Sequence, residues 1–150
     1  MFERYTIAAR RVIFFARSEA GELGSPAIES EHLLLGLLQA DRALVNRLFS
    51  QPVPPDSIRD RIMGHVRKGK KLALSVDLPL SEECQRILVC AVKEADALSL
   101  SFVGTEHLLL ALLAEEKCLG AEILQECGLR LADVRPGNPK GEIRGMGGRG

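Results

Sequence analysis

Apolar residues recur along this chain at helical spacing, and the same spacing occurs twice. Ala9, Val12, Ile13, Ala16, Ala20 and Leu23 stand at i, i+3, i+4, i+7, i+11 and i+14, and Cys84, Ile87, Leu88, Ala91, Ala95 and Leu98 repeat that series. Each set predicts an amphipathic helix. Thr6 and Ser81 mark the two starts as N-caps, and Gly24 with Pro26 just beyond it ends the first. Leu33 to Leu38 and Leu108 to Leu113 are apolar around most of a helix circumference, which predicts two central helices, Glu31 to about Ala40 and Glu106 to about Glu115, capped by Ser30 and Thr105. A third helix follows in each half, with Leu44, Val45, Leu48 and Phe49 in one and Leu119, Ile123 and Leu124 in the other. Beyond the turn Pro52-Val53-Pro54-Pro55, Ile58, Ile62 and Val66 predict a fourth helix with Pro55 in its opening turn and Asp56 beside the N-terminal dipole. The second half offers only Leu129 to Val134 before Pro136.

The repetition is a duplication. Residues 5–49 align with 80–124 at a constant offset of 75 without a gap, with thirteen identities, seven of them inside Glu31 to Leu38. The predicted fold is therefore all-α: a tandem duplicated four-helix repeat forming a pseudo-twofold bundle of about eight helices. Its expected parts are repeat 1 (1–68), a linker (69–79), repeat 2 (80–135) and a Gly-rich tail (136–150). The linker is too irregular for a helix and ends on Pro79, while the tail holds six of the fourteen glycines with no periodicity and is expected to be disordered.

A chain of 150 residues can bury roughly two thirds of its unfolded surface, so no staple is required. The apolar run Leu33 to Leu38, broken at Gly36, is far short of the ~18 residues of a membrane span. The first residues, Met1-Phe2-Glu3-Arg4-Tyr5, lead straight into the amphipathic pattern rather than a cleavable apolar leader, so a cytoplasmic protein is expected. Twenty basic and twenty acidic residues cancel, which removes the strong basic field of a dedicated nucleic-acid binder. The balance is uneven, with 12 Lys/Arg against 8 Asp/Glu in residues 1–75 and the reverse excess after that. Aromatics make up 4%, too few for base-stacking platforms. Cys84, Cys90, Cys118 and Cys127 form no C-x-x-C pair and read as reduced packing thiols.

Candidate chemistry is sparse. Gly64 to Lys71 satisfies G-x-x-x-x-G-K, but Lys71 stands where a hydroxyl must hold magnesium, and the segment leaves a helix instead of a strand. His32 and His107 each follow a glutamate without a second histidine four residues on, and no serine elbow or paired nucleophile is visible. No cofactor and no metal is expected. Glu31 and Glu106 are distinct because the duplication places each in the first turn of a central helix. The plain account is that an acid there stabilises the helix dipole by ~0.3–1 kcal/mol. A second account is recognition: the carboxylate forks onto a guanidinium while helix-start amides accept an anion.

The octapeptide Glu31-His32-Leu33-Leu34-Leu35-Gly36-Leu37-Leu38 and its echo Thr105 to Leu113, inside a tandem duplication that opens with Met1-Phe2 and Thr6, resemble the Clp N-terminal repeat domain, with the ClpC type most similar. The resemblance covers residues 1 to about 135. It implies a domain at the front of an AAA+ unfoldase that docks adaptors and substrates destined for the ClpP protease. It also implies that the glutamates at Glu31 and Glu106 read phosphoarginine, with Ser30, His32, Thr105 and His107 around them. The family's Gly-Thr stands as Gly104-Thr105 in the second repeat but as Glu29-Ser30 in the first, where the extra charge should repel phosphate. The expectation is thus a non-catalytic protein-binding domain whose partners are Clp adaptors or substrates, including arginine-phosphorylated ones, and the Clp ATPase and ClpP machinery. The alternatives are a free-standing repeat protein competing for those partners, a nucleic-acid-associated helical protein, and an enzyme using Glu31 or Glu106 as acid or base.

Overall fold

The computed structural model describes residues 2–49 and 54–134. Among them the helices are α1 (Ile7–Glu22), α2 (Ser30–Ala40), α3 (Arg42–Leu48), α4 (Pro55–Met63), α5 (Glu82–Ala97), α6 (Thr105–Ala114), α7 (Leu119–Glu126) and α8 (Leu131–Val134). The expected tail, and Pro52 and Val53 of the proline turn, lie outside the described residues. The first helix of each repeat starts as anticipated: the Thr6 hydroxyl accepts the Ala9 amide at 3.1 Å, and the Ser81 hydroxyl accepts that of Cys84 at 3.1 Å. The fourth helix stops at Met63, one turn before the Val66 that its apolar pattern included. Gly64 donates back to Asp60 and Arg61 carbonyls there, and the chain leaves the helix axis.

Each helix end is written twice. The Ser25 amide reaches the Ala20 carbonyl at 2.9 Å, and the Leu100 amide reaches that of Ala95 at 3.0 Å, the six-residue closure of a Schellman end. The left-handed residue between them is Gly24 (φ 68°) in one repeat and Ser99 (φ 59°) in the other. Gly24 has a second reason to lack a side chain, since a Cβ would lie 2.4 Å from the Lys70 carbonyl oxygen of the linker. That linker is strapped to α1. Gly69 and Leu72 amides donate to the carbonyls of Leu23 and Gly21, and the Arg17 guanidinium donates to carbonyls of Ala73, Leu74 and Val76.

α2 and α6 form the centre, as their all-round apolarity predicts: every residue from Leu33 to Leu38 and from Leu108 to Leu113 is buried. α1 packs on α2 and α5 on α6. The α1–α2 crossing is close enough that a Cβ on Gly36 would fall 2.4 Å from the Val12 carbonyl oxygen; the equivalent crossing accommodates Ala111.

The two repeats are joined by reciprocal main-chain contacts. Tyr5 bridges Val103 in parallel and Ile28 bridges Leu80 in parallel, and the offset of 75 exchanges one pair for the other. The hydrogen bonds follow the same exchange: Thr6 N–H to Val103 O at 3.0 Å and Val103 N–H to Arg4 O at 2.9 Å, against Ser81 N–H to Ile28 O at 3.1 Å and Ile28 N–H to Pro79 O at 2.8 Å. These pairs are the pseudo-twofold at atomic level. They hold each central helix start beside the other repeat.

Candidate ligand site at the starts of the central helices

Ser30, Glu31, His32, Thr105, Glu106 and His107 all lie in the first turn of α2 or α6, and all six are buried. The capping assignment shifts by one residue from the sequence reading. Glu29 and Gly104 are the N-caps, and Ser30 and Thr105 are already helical. The cap is served from inside the helix: His32 Nδ1 accepts the Glu29 amide at 2.9 Å, and His107 Nδ1 accepts that of Gly104 at 2.8 Å. This is one half of a capping box, with imidazole in the part of the usual glutamate; the His32 and His107 amides return to the cap carbonyls rather than to a cap side chain. Accepting through Nδ1 places the ring proton on Nε2 and keeps the imidazole neutral. Burial depresses both histidines, His32 to about 4, with Glu19 opposing the shift, and His107 downward against the pull of Glu106 and Glu94. With that lone pair engaged, neither ring is free to serve as a general base through Nδ1.

The hydroxyls of Ser30 and Thr105 are used between repeats instead of as caps. Ser30 Oγ accepts the Gly120 amide at 3.0 Å, at the start of α7. Thr105 Oγ1 donates to Asp41 Oδ2 at 2.7 Å, and the other oxygen of Asp41 accepts the Leu44 amide to cap α3. Each central helix start therefore meets the start of the third helix of the opposite repeat. The two sites are built at the repeat interface, which periodicity within one repeat does not reveal.

Glu31 and Glu106 are 9% and 7% exposed. The Glu106 carboxylate folds back over its own cap, where a Cβ on Gly104 would come within 2.4 Å of Oε1. Gly104 thus makes room for the Glu106 carboxylate. In the first repeat Glu29 takes that position, and the Glu31 carboxyl is pushed up by burial and by the charges of Glu29 and Glu83. The nearest donor outside its own backbone is the Ser30 hydroxyl at 3.5 Å, longer than an ordinary O–H···O contact of about 2.5–3.0 Å. A buried carboxylate without a full partner costs stability, and a cation that entered would recover it.

Two further features bear on function. Glu19, visible in the sequence only as an identity with Glu94, is 8% exposed; it accepts a forked pair from Arg59 at 2.7 and 3.1 Å and the Gln39 amide at 2.5 Å, tying α1, α2 and α4 together. The Gly64 to Lys71 segment turns its Gly69 amide to Leu23, and Lys71 pairs with Glu22 at 2.8 Å, so these groups face α1. Cys84 and Cys118 are buried, and burial pushes the Cys84 thiol up to about 12. No group of three or more His, Cys, Asp or Glu among the described residues could hold a metal, and no described helix is long and apolar enough to cross a membrane.

The fold is a duplicated helical domain with one buried first-turn glutamate at the start of each central helix. The family described as the Clp repeat (R) N-terminal domain matches residues 4–135, and the chain belongs to it. Over 136 residues, 90% of the chain, it is 32% identical to an ATP-dependent Clp protease ATP-binding subunit ClpA homolog of Cyanidium caldarium and 30% identical to chaperone protein ClpC1, chloroplastic, of Arabidopsis thaliana. The match spans only 16% and 14% of those relatives' own lengths. Among solved structures, the N-terminal domain of the chaperone ClpD from Arabidopsis thaliana shares the fold at a TM-score of 0.75 and 22% identity, covering 100% of this chain and 97% of that one. The Hsp104 N-terminal domain from Candida albicans does so at 0.72 and 22%, covering 95% and 93%.

Proposed function

We propose that this chain is a non-catalytic recognition domain that recruits substrates or adaptors to a Clp-type ATP-dependent unfoldase and protease in the cytoplasm, and that its second repeat reads phosphoarginine. The observation that carries this reading is Glu106: a carboxylate 7% exposed in the first turn of α6, with no ion-pair partner among the described residues and beside the amides of a helix start. A guanidinium suits the carboxylate through forked charge-assisted bonds, and a phosphoryl group on the same side chain suits the positive end of the helix dipole. Phosphoserine supplies the anion without the cation. Family membership supports the same role, since the relatives named above are subunits of Clp protease or chaperone systems. Acid–base catalysis fits less well, because each adjacent histidine spends its Nδ1 lone pair on a cap amide.

Calorimetry with two peptides differing only in phosphoarginine against phosphoserine tests it. The reading requires saturable heat with the first, little with the second, and loss of the response in Glu106→Ala with the fold intact by circular dichroism. Equal binding of both peptides, or an unchanged response in Glu106→Ala, would overturn it.

A further inference from the structure

We propose that the chain between α4 and the inter-repeat linker, seated across the end of α1, is a docking surface for an acidic peptide segment that carries an apolar side chain. The surface lies toward the end of α2, where Gln39 reaches Glu19, and not at the starts of the central helices, so the proposal is independent of the Glu106 reading. Arg67, Lys68, Lys70 and Lys71 fall within five residues here. The plain account is that they neutralise the negative ends of α1 and α4. Main-chain amides already serve those ends: Gly69 N–H donates to the Leu23 carbonyl at 2.7 Å, Leu72 to Gly21 at 2.8 Å, Gly64 to Asp60 at 3.1 Å and Val66 to Ile62 at 3.2 Å. None of the four cationic side chains bonds a carbonyl among the described residues.

Ion pairing leaves a surplus of positive charge. Arg59 is taken by Glu19, Arg61 by Glu126 and Lys71 by Glu22, whereas Arg67, Lys68 and Lys70 are exposed and have no ion pair among the described residues. On α4, Asp56 lines a separate small cavity with Arg42 and Arg59, and Asp60 is left as one unpaired acid against three cations. The backbone that carries the cations is fixed by a close crossing: a Cβ on Gly69 would lie 3.0 Å from the Gly24 carbonyl oxygen, and one on Gly24 would lie 2.4 Å from that of Lys70. A partner therefore meets charges on an ordered chain, which lowers the entropic cost of docking. Beside them is a cavity of about 390 Å³ with Leu23, Met63, Arg59 and Lys68 on its walls. Its two acids, Glu19 and Glu22, are the ones already paired with Arg59 and Lys71. An apolar side chain seated against Leu23 and Met63 brings flanking carboxylates to Lys68 and Lys70. Nucleic acid fits less well, because the net charge is zero and no aromatic residue stands between positions 54 and 76 to stack on a base.

The experiment uses the full chain, isotopically labelled, and a short peptide with one leucine among glutamates. The comparison probes are the same peptide with lysines for the glutamates, the same peptide with serine for the leucine, and a single-stranded oligonucleotide of matched charge. The glutamate peptide should shift the amides of Met63 to Leu72 saturably, and more weakly as salt is raised. The lysine form should not bind, and the serine form should bind about tenfold more weakly. Lys68→Glu/Lys70→Glu should weaken the glutamate peptide by about tenfold at low salt, whereas Lys93→Glu/Lys117→Glu, an equal change in net charge placed elsewhere, should leave it within about twofold. A phosphoarginine peptide should still act at Thr105 to Leu108 in the first of these variants, so the two readings fail separately. No saturable shift at Met63 to Leu72, equal binding of the lysine or serine form, equal losses in the two double variants, or tighter binding of the oligonucleotide at the same amides would overturn the proposal.

Discussion

The Ser30 hydroxyl accepts the Gly120 amide at 3.0 Å across ninety residues of sequence, and in doing so it holds the start of α2 against the start of α7. A Cβ on Gly120 would lie 3.0 Å from the Ser30 carbonyl oxygen, so the approach is tight as well as polar. Ser30→Ala leaves the buried Gly120 N–H without this acceptor. It should cost about 1–3 kcal/mol in urea unfolding of the whole chain, and the shared interface should make both repeats lose stability together. Separate unfolding of one repeat at wild-type midpoint would show that the contact does not couple them.

Gly36 and Ala111 are equivalent positions with unequal room. Gly36→Ala drives a methyl to 2.4 Å from the Val12 carbonyl oxygen, and the α1–α2 crossing must open. A loss of about 2–4 kcal/mol is expected, against ~1 kcal/mol for Ala111→Gly. Denaturant midpoints of the two variants check the ordering.

Ser99 carries φ 59°, a conformation that costs a non-glycine residue energy, and its side chain is exposed. Ser99→Gly should therefore stabilise the domain by roughly 0.5–1 kcal/mol, even after the greater entropy of the unfolded glycine is counted. Gly24→Ala should do the opposite, since that position combines positive φ with the linker carbonyl 2.4 Å from the missing Cβ. Thermal melts should rise for the first and fall for the second.

His32 sets a pH dependence whose sign follows from its burial. Its folded value near 4 lies below the ordinary 6.5, so between these limits the unfolded chain binds more protons than the folded one. Stability is then full above about pH 6.5 and is lost as pH falls toward 4, by up to ~3 kcal/mol for this one group. His107 acts in the same direction. Urea midpoints between pH 7 and 5 should fall, and His32→Gln should flatten the slope.

Much of this architecture could be read from the sequence because burial follows helical spacing. The duplication, the central α2 and α6 and the caps at Thr6 and Ser81 all come from periodicity and local hydrogen-bonding chemistry within one repeat. The roles of Ser30 and Thr105 were not legible in that way. Both look like N-caps, and both instead bond across the interface, because His32 and His107 cap from the third helical position. Nor could the approach of Glu83 to Glu31 be read, since it depends on how α5 packs against α2. Position alone put Glu106 in the first turn of α6, but the folding of its carboxylate over Gly104 is a three-dimensional fact.

Glu31 also predicts a gain in stability when its charge is removed. Its carboxyl is raised in the fold, so at neutral pH the buried charge costs free energy that the unfolded chain does not bear. Glu31→Gln should raise the melting temperature by about 2–5 °C. An unchanged or lower melting temperature would mean that the ionised carboxylate is already compensated.

The most direct test of the central claim is to locate the ligand. Free phosphoarginine titrated into the labelled full chain should produce its largest saturable shifts at Thr105, Glu106, His107 and Leu108, with the exposed faces of α1 around Phe14 and of α5 around Val89 unmoved. Largest shifts on those outer faces, or no saturable shift at the start of α6, would contradict the account.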